Sequence, residues 1–402
     1  MKINLIHYTA PPVVGGVETI LARQASQLAR SGHQVHILTG RGRTWDARIP
    51  VETVNLIDIR HPQILRAKAS LDQGIIPPDF SALVDQIQND LRRLFQGSQV
   101  VIAHNVASLN KNLALTAALF NLSQENQPSR LILWHHDLAW KTERYQSELH
   151  DGWPWDLLRT AWPGVKQVTV SEIRRQELAA LIDTPMRQIT VVPAGLDLVD
   201  FLGLPHHLAR LADDLHLTTA APILLCPVRL NRRKNLELAL QTLAELRQRM
   251  PQAALIVTGQ PTPQGKAYLE SLKKLRAELG LEGAAFFLAE RFPEGLSEAG
   301  LLGFYRLADA LLLTSREEGF GVPLLEAGLA GIPIFCTRLE SLQALAGENA
   351  AYFDAQDDPK QIASLIAGRL LSDPVYRMRV RVRHDFTWEG IYRKQLLPLL
   401  EI

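Results

Sequence analysis

Cysteine is scarce: only Cys226 and Cys336 occur in 402 residues, each inside an apolar, strand-like run. So few suggest neither a disulfide framework nor a zinc site, and both read as reduced core side chains. An excess of charge of one sign is equally lacking, since 43 basic and 42 acidic side chains leave a net charge of +1. A dedicated nucleic-acid binder carries a marked basic excess, so no nucleic-acid partner is expected. A net total hides local patches, and peripheral contact with a membrane stays open. Long hydrophobic runs are missing too. No stretch reaches the ~18 consecutive apolar residues of a membrane span. The opening MKINLIHYTA lacks the apolar centre and small-residue cleavage site of a secretory signal. A cytoplasmic location is therefore expected. No internal repeat or low-complexity tract stands out.

What is present is a regular alternation. Short apolar runs trade places with amphipathic helical patterns, the signature of βαβ units around parallel sheets. In the first half the runs are Lys2–His7, Gln34–Leu38, Val100–His104, Leu131–Trp134, Val168–Val170 and Ile189–Val192. A helix over Val17–Arg30 places Val17, Ile20, Leu21, Ala25, Leu28 and Ala29 on one face, with Gly32 as its stop. Pro50–Gln99 has weaker periodicity and receives no assignment. A second series begins after about Asp197, with strands at Ile223–Cys226, Ala254–Thr258, Ala284–Leu288, Ala310–Thr314 and Pro333–Cys336. Leu236–Arg249 and Lys266–Leu279 read as intervening helices. Two Rossmann-like, doubly wound α/β domains facing each other across a cleft account for this, and 402 residues exceed one ordinary core. The expected ranges are 1–196 and 197–375, with a C-terminal helix of about 376–402 packing back onto the first domain.

Ligands of open α/β sheets bind beyond the carboxyl ends of the strands. There the most informative stretch is TSREEGFGVPLLEAGLAGIPI, Thr314 to Ile334. Glu318 and Glu326 stand eight apart, with Gly319, Phe320 and Gly321 directly after the first. Pro323 suits the first turn of a helix, whose amides would point at an anionic or hydroxyl-rich group. The glycines allow close backbone approach, and Glu326 could accept hydrogen bonds from a ribose diol. A glycine turn before a helix with two solvated glutamates fits the same spacing. Upstream, PVRLNRRKN follows the run Ile223–Cys226. Its cations suit a diphosphate, gripped bidentately by Arg and neutralised by Lys as it departs. Spacing alone does not say which of the four reaches phosphate, or whether the loop is merely solvated.

These stretches resemble glycosyltransferase family 4, among the retaining GT-B glycosyltransferases. Glu318 to Glu326 matches that group's E-x7-E signature, and EGFGVPLLEAGLAGIP is closely similar to the family pattern. Gly15-Gly16-Val17-Glu18 resembles its N-terminal glycine loop. Val192-Pro193-Ala194-Gly195-Leu196-Asp197 resembles its interdomain segment, with Ala194 in place of the usual Asn. The resemblance selects Arg229 and Lys234 as the diphosphate cations, although Val228 stands where Gly is frequent. It implies a nucleoside diphosphate sugar as co-substrate, no separate cofactor, and a donor site of Gly15, Gly16, Arg229, Lys234, Glu318, Gly319, Phe320, Gly321, Val322 and Glu326.

Two strand ends in the first half carry histidine, at His104 and at His135-His136-Asp137. Such a residue can bond sugar hydroxyls or handle a proton near neutral pH. Neighbours on a strand face opposite ways, so His135 and His136 are not expected to share a role. The resemblance favours His136 as the active-site histidine; His104 could touch the acceptor, support the site from behind or be a satisfied structural histidine, and Asp137 is a further acceptor-side candidate. Five of the seven tryptophans, Trp134, Trp140, Trp153, Trp155 and Trp162, crowd one stretch. They could shape an acceptor pocket, Trp140 included, or simply pack a core.

The resemblance implies hexosyl transfer with retention, by front-face attack in which a leaving phosphate oxygen takes the acceptor proton. His136, Glu318, Arg229 and Lys234 would carry catalysis. No Asp-x-Asp pair occurs, the arrangement with which GT-A transferases hold a metal on the diphosphate, so metal independence is expected. UDP- or GDP-sugar donors and a small-molecule or saccharide acceptor are favoured. A lipid acceptor, a nucleotide-sugar epimerase and a non-catalytic nucleotide-sugar sensor are the alternatives. A dehydrogenase is disfavoured, since Gly40-Arg41-Gly42 is followed by Trp at position 45. Oligomeric state is not legible.

Overall fold

The computed structural model describes residues 1–125, 129–262 and 265–401. The chain forms two compact units: Met1–Leu196 together with the segment from Phe386 onward, and Asp197–Asp385. Each is built on its own parallel sheet.

In the first unit the strands are β1 (Lys2–Thr9), β2 (Gln34–Arg41), β3 (Val51–Thr53), β4 (Val100–His104), β5 (Arg130–His135), β6 (Lys166–Thr169) and β7 (Ile189–Val191), ordered β3-β2-β1-β4-β5-β6-β7. The first helix, Gly16–Arg30, buries Leu21, Ala25 and Leu28, and also Gln24 and Gln27. Gly32, at φ +85, ends that turn. The unassigned stretch holds β3 and two helices, Pro62–Leu71 and Phe80–Leu94. The latter buries Phe80, Leu83, Val84, Ile87 and Leu91 at helical spacing.

In the second unit β8 (Ile223–Cys226), β9 (Ala254–Val257), β10 (Ala285–Phe287), β11 (Ala310–Leu313), β12 (Ile334–Thr337) and β13 (Ala351–Phe353) are ordered β10-β9-β8-β11-β12-β13. β8, β9, β11 and β12 are buried throughout, as strands covered on both faces by helices must be. The order reverses between β1 and β4 in one sheet and between β8 and β11 in the other. Those switch points open the crevices where doubly wound sheets hold ligands. Both units thus have the doubly wound α/β architecture expected of GT-B. Cys226 and Cys336 are buried and free.

One expectation needs correction. The C-terminal return starts near Phe386, not near residue 376. Helix Pro374–Asp385 stays with the second unit, where Arg383 grips Asp309 through both carboxylate oxygens, at 3.0 and 2.7 Å. Arg383 also donates to the Ala220 carbonyl at 2.7 Å, and Asp309 accepts the Ile223 amide at 2.8 Å. This buried pair ties the helix to the starts of β8 and β11. Beyond it, Trp388, Ile391, Tyr392, Leu396, Leu399 and Leu400 join the core of the first unit.

Candidate functional site

In the second unit, β8 and β11 are neighbours, so the segments leaving their carboxyl ends lie together. After β8 the chain turns through Arg232–Lys234 and a left-handed Asn235 into helix Leu236–Arg247. After β11 it passes through Glu318 to Gly321 and enters helix Val322–Ala330 with Pro323 in its first turn. The two segments are stitched by Arg316 N–H to the Arg233 carbonyl (2.7 Å), Thr314 Oγ1 to the Lys234 carbonyl (3.0 Å), and the Arg316 guanidinium to Asn235 Oδ1 (3.1 Å). Gly321 sits at φ +98, a conformation that favours glycine, and a Cβ there would press on Leu342 Cδ2 at 2.6 Å unless that side chain shifted.

This stitching brings Lys234 against Glu318: the buried ammonium donates to Oε2, which Ser315 also approaches at 3.4 Å. The ammonium has three donors and Glu318 a second oxygen, so the pair orders both groups without exhausting either. Arg229 is exposed, and its guanidinium makes no hydrogen bond or ion pair with any described residue, although its carbonyl accepts the Asn231 amide at 3.0 Å. Gly319, Phe320 and Val322 are exposed at the mouth of the same turn. Glu326 is held by the Tyr305 hydroxyl, whose pKa is driven upward by burial and by the carboxylate, so it stays a neutral donor. Tyr305 and Arg316 escaped the sequence reading, because nothing local marks residues that act from another element.

In the first unit, Gly15 and Gly16 lead into the first helix. The Glu18 carboxylate folds back against Gly15, where any Cβ would strike it, while a Cβ on Gly16 would meet nothing within 4 Å. Glu18 accepts from Thr9 Oγ1 and lies 3.8 Å from His7 Nε2. His7 Nδ1 donates to the His104 carbonyl at 2.9 Å. His104 is fully buried and stacks on Trp134, and it meets His136 edge to edge, with Nδ1 3.0 Å from His136 Nε2. Asn105, left-handed at φ 57, accepts the amides of His136 (2.8 Å) and Asp137 (3.2 Å) and donates to Asp137 Oδ2 at 3.3 Å. His135 turns away to Ser108 Oγ (2.6 Å) and Gln167 Oε1 (2.8 Å), as strand alternation required. Asn105, His7 and Thr9 were not singled out from sequence. Their position at the ends of β1 and β4 was the available signal.

The tryptophans divide. Trp134, Trp155 and Trp162 are core side chains, whereas Trp153 is exposed. Trp140 is partly buried, and its ring face is covered by the Arg159 guanidinium at 4.1 Å. Packing therefore accounts for most of the cluster.

Burial lowers every imidazole of this group: His135 is pushed down to about 4 and His136 to about 3, with His7 and His104 lowered as well. With folded pKa values below the ordinary 6.5, the unfolded chain takes up protons first. The stability these neutral rings contribute is complete above about pH 6.5 and is lost as pH falls towards about 4. Scanning calorimetry from about pH 7 to about pH 5 should show the first unit melting progressively lower. A melting temperature unaffected by pH across that window would contradict a neutral cluster.

Among the described residues no group of three or more His, Cys, Asp or Glu could hold a metal ion, and no helix is long and apolar enough to cross a membrane. The family model described as Glycosyltransferase Family 4 matches residues 14–200, and that of Glycosyl transferases group 1 matches residues 212–384. A D-inositol 3-phosphate glycosyltransferase of Corynebacterium urealyticum is 27% identical over 99% of this chain and 95% of its own length. The mannosylglucosylglycerate synthase of Petrotoga mobilis is 24% identical over 83% and 81%. Among solved structures, sucrose-phosphate synthase from Thermosynechococcus elongatus aligns over 100% of this chain and 99% of its own, at 18% identity and a TM-score of 0.38. With the two family models together spanning most of the sequence and full-length relatives of the same kind, the chain belongs to glycosyltransferase family 4 and is a hexosyltransferase.

Proposed function

We propose that this enzyme moves a hexose from a nucleoside diphosphate sugar, UDP- or GDP-linked, to a hydroxyl of a small-molecule or saccharide acceptor, with retention and without a metal ion. The observation that carries this reading is the Lys234–Glu318 pair at the switch point of the second sheet, beside the unpaired Arg229. Arg229 and the spare donors of Lys234 suit a diphosphate. Glu318, with the amides that follow it, suits hydroxyls of the transferred sugar, and the Tyr305-held Glu326 suits the ribose diol. Gly16, open to close approach, suits phosphate at the first helix N-terminus.

In the reaction the acceptor oxygen bonds to the anomeric carbon on the face from which the diphosphate leaves. The bond from that carbon to the phosphate oxygen breaks, and the acceptor proton passes to a leaving phosphate oxygen. The cations stabilise the charge that develops there. No enzymic nucleophile is needed, so Glu318 binds rather than attacks. On the acceptor side, His136, Asp137 and the buried His104 stand at the ends of β4 and β5, and the name of the Corynebacterium relative supports a small hydroxylated acceptor. Trp140, with Arg159 over one face of its ring, is the weaker candidate for that role.

Incubation with UDP-, GDP- and ADP-sugars, with and without EDTA, tests the reading. Slow donor hydrolysis that persists in EDTA supports it. Binding without turnover would indicate a sensor, conversion to an isomeric nucleotide sugar an epimerase, and activity lost in EDTA but restored by magnesium a metal-dependent transfer. Transfer only to lipid-linked acceptors would overturn the acceptor assignment. A covalent glycosyl group trapped on Glu318 or Asp137 would overturn front-face attack.

A further inference from the structure

The histidine pair at the ends of β4 and β5 poses a question of proton placement. His104 Nδ1 and His136 Nε2 are 3.0 Å apart, so one proton lies between the two nitrogens. Both rings are neutral near pH 7, because burial disfavours their charged forms. Two arrangements remain. If His136 Nε2 carries the proton, the neutral His104 must hold its own on Nε2. That atom is buried and has no hydrogen-bond partner among the described residues. A buried N–H would then be orphaned, which folded proteins avoid more strictly than an unmet acceptor. If instead His104 Nδ1–H donates, only a lone pair is left unmet at His104 Nε2, and His136 Nε2 is the acceptor.

From this geometry we infer that His104 is a positioning residue that fixes the tautomer of His136. His136 then carries its proton on Nδ1. That nitrogen makes no hydrogen bond to any described residue, and the residue keeps 8% of its surface exposed. The ring therefore offers the crevice a hydrogen-bond donor and has no free lone pair there. A donor of this kind binds an oxygen of the substrate. It does not remove the proton of an attacking hydroxyl, and that step falls to the leaving phosphate as in the proposed reaction.

The surroundings hold the arrangement from both sides. Trp134 stacks on His104 with ring centroids 5.3 Å apart and an interplanar angle of 28°, which fixes the ring plane. The His104 carbonyl is occupied by His7 Nδ1, and Asn105 anchors the backbone amide of His136. Each ring thus reaches its partner from a fixed backbone.

The inference rests on His136 acting in the proposed reaction, and two measurements separate the failure of one from the failure of the other. Long-range proton–nitrogen correlation spectra of the ring-15N-histidine protein, assigned with His136→Gln, read the tautomer without reference to activity. A protonated Nδ1 and bare Nε2 at His136 are expected, and the reverse would overturn the inference. Kinetics then test its use. In His104→Asn the side-chain amide N–H replaces Nδ1–H, so kcat should stay within about threefold of the wild type, whereas His104→Phe should lower it about tenfold or more, with a smaller change in the donor KM. Equal activity of the two variants would overturn the positioning role. If the spectra show the expected tautomer but His136→Gln transfers sugar at the wild-type rate, the site assignment fails while the tautomer stands.

Discussion

Replacing Lys234 by alanine should lower kcat for sugar transfer by roughly two to three orders of magnitude, the usual cost of removing one group aimed at charge that develops in the transition state. The Lys234 side chain is 8% exposed and its ammonium is held by Glu318, so solvent cannot easily substitute for it. Lys234→Arg is not expected to rescue, because the planar guanidinium needs room that a buried site at the start of helix Leu236–Arg247 does not offer. Arg229→Ala should raise donor KM and lower kcat as well, but kcat by less than Lys234→Ala, since its exposed position lets water screen the developing charge in part. Steady-state kinetics on the donor found by the nucleotide-sugar panel, with melting temperature as the control for folding, decide the matter. A Lys234→Ala enzyme within threefold of wild type would remove this residue from the chemistry.

The second large effect concerns stability. Arg383→Ala leaves the Asp309 side chain, with no exposed surface at all, facing a hole where two hydrogen bonds had been. Breaking one side of a buried pair costs about 3–5 kcal/mol, and the lower end applies here, because Arg379 stays 3.8 Å from Asp309 Oδ1 and the Ile223 amide still donates to Oδ2. In a unit of this size that corresponds to a fall of roughly 10 °C in melting temperature. Arg393→Ala, which removes an exposed i,i+4 partner of Glu389, should leave the melting curve unchanged. If the two variants melt alike, the Arg383–Asp309 clasp does not hold helix Pro374–Asp385 in place.

The strands read most directly from sequence are those whose every side chain is buried. Val100–His104 and Ile223–Cys226 have the bounds read from their apolar runs. Val51–Thr53 and Ala351–Phe353 escaped, since edge strands of three residues with half-exposed patterns leave no apolar run to see. The helix Phe80–Leu94 carries a clear 3.6-residue period once isolated, but the short helix and turns before it blurred the window. The tryptophan-rich stretch shows the limit from the other side. Composition reports that rings are near one another in the chain, and only packing decides whether their faces are open.

The sequence by itself determined the class of fold, the two series of strands, and the loops in which the donor chemistry resides. These properties are written in residue order, through burial period, glycine placement and the spacing of Glu318 and Glu326. Only the tertiary structure decided the pairs: Lys234 with Glu318, Tyr305 with Glu326, His104 with His136, and Arg383 with Asp309. The reason is physical. Which side chains meet depends on which strand ends become neighbours, β8 beside β11 and β4 beside β5. That adjacency is set by the packing of a whole sheet, not by any segment within it.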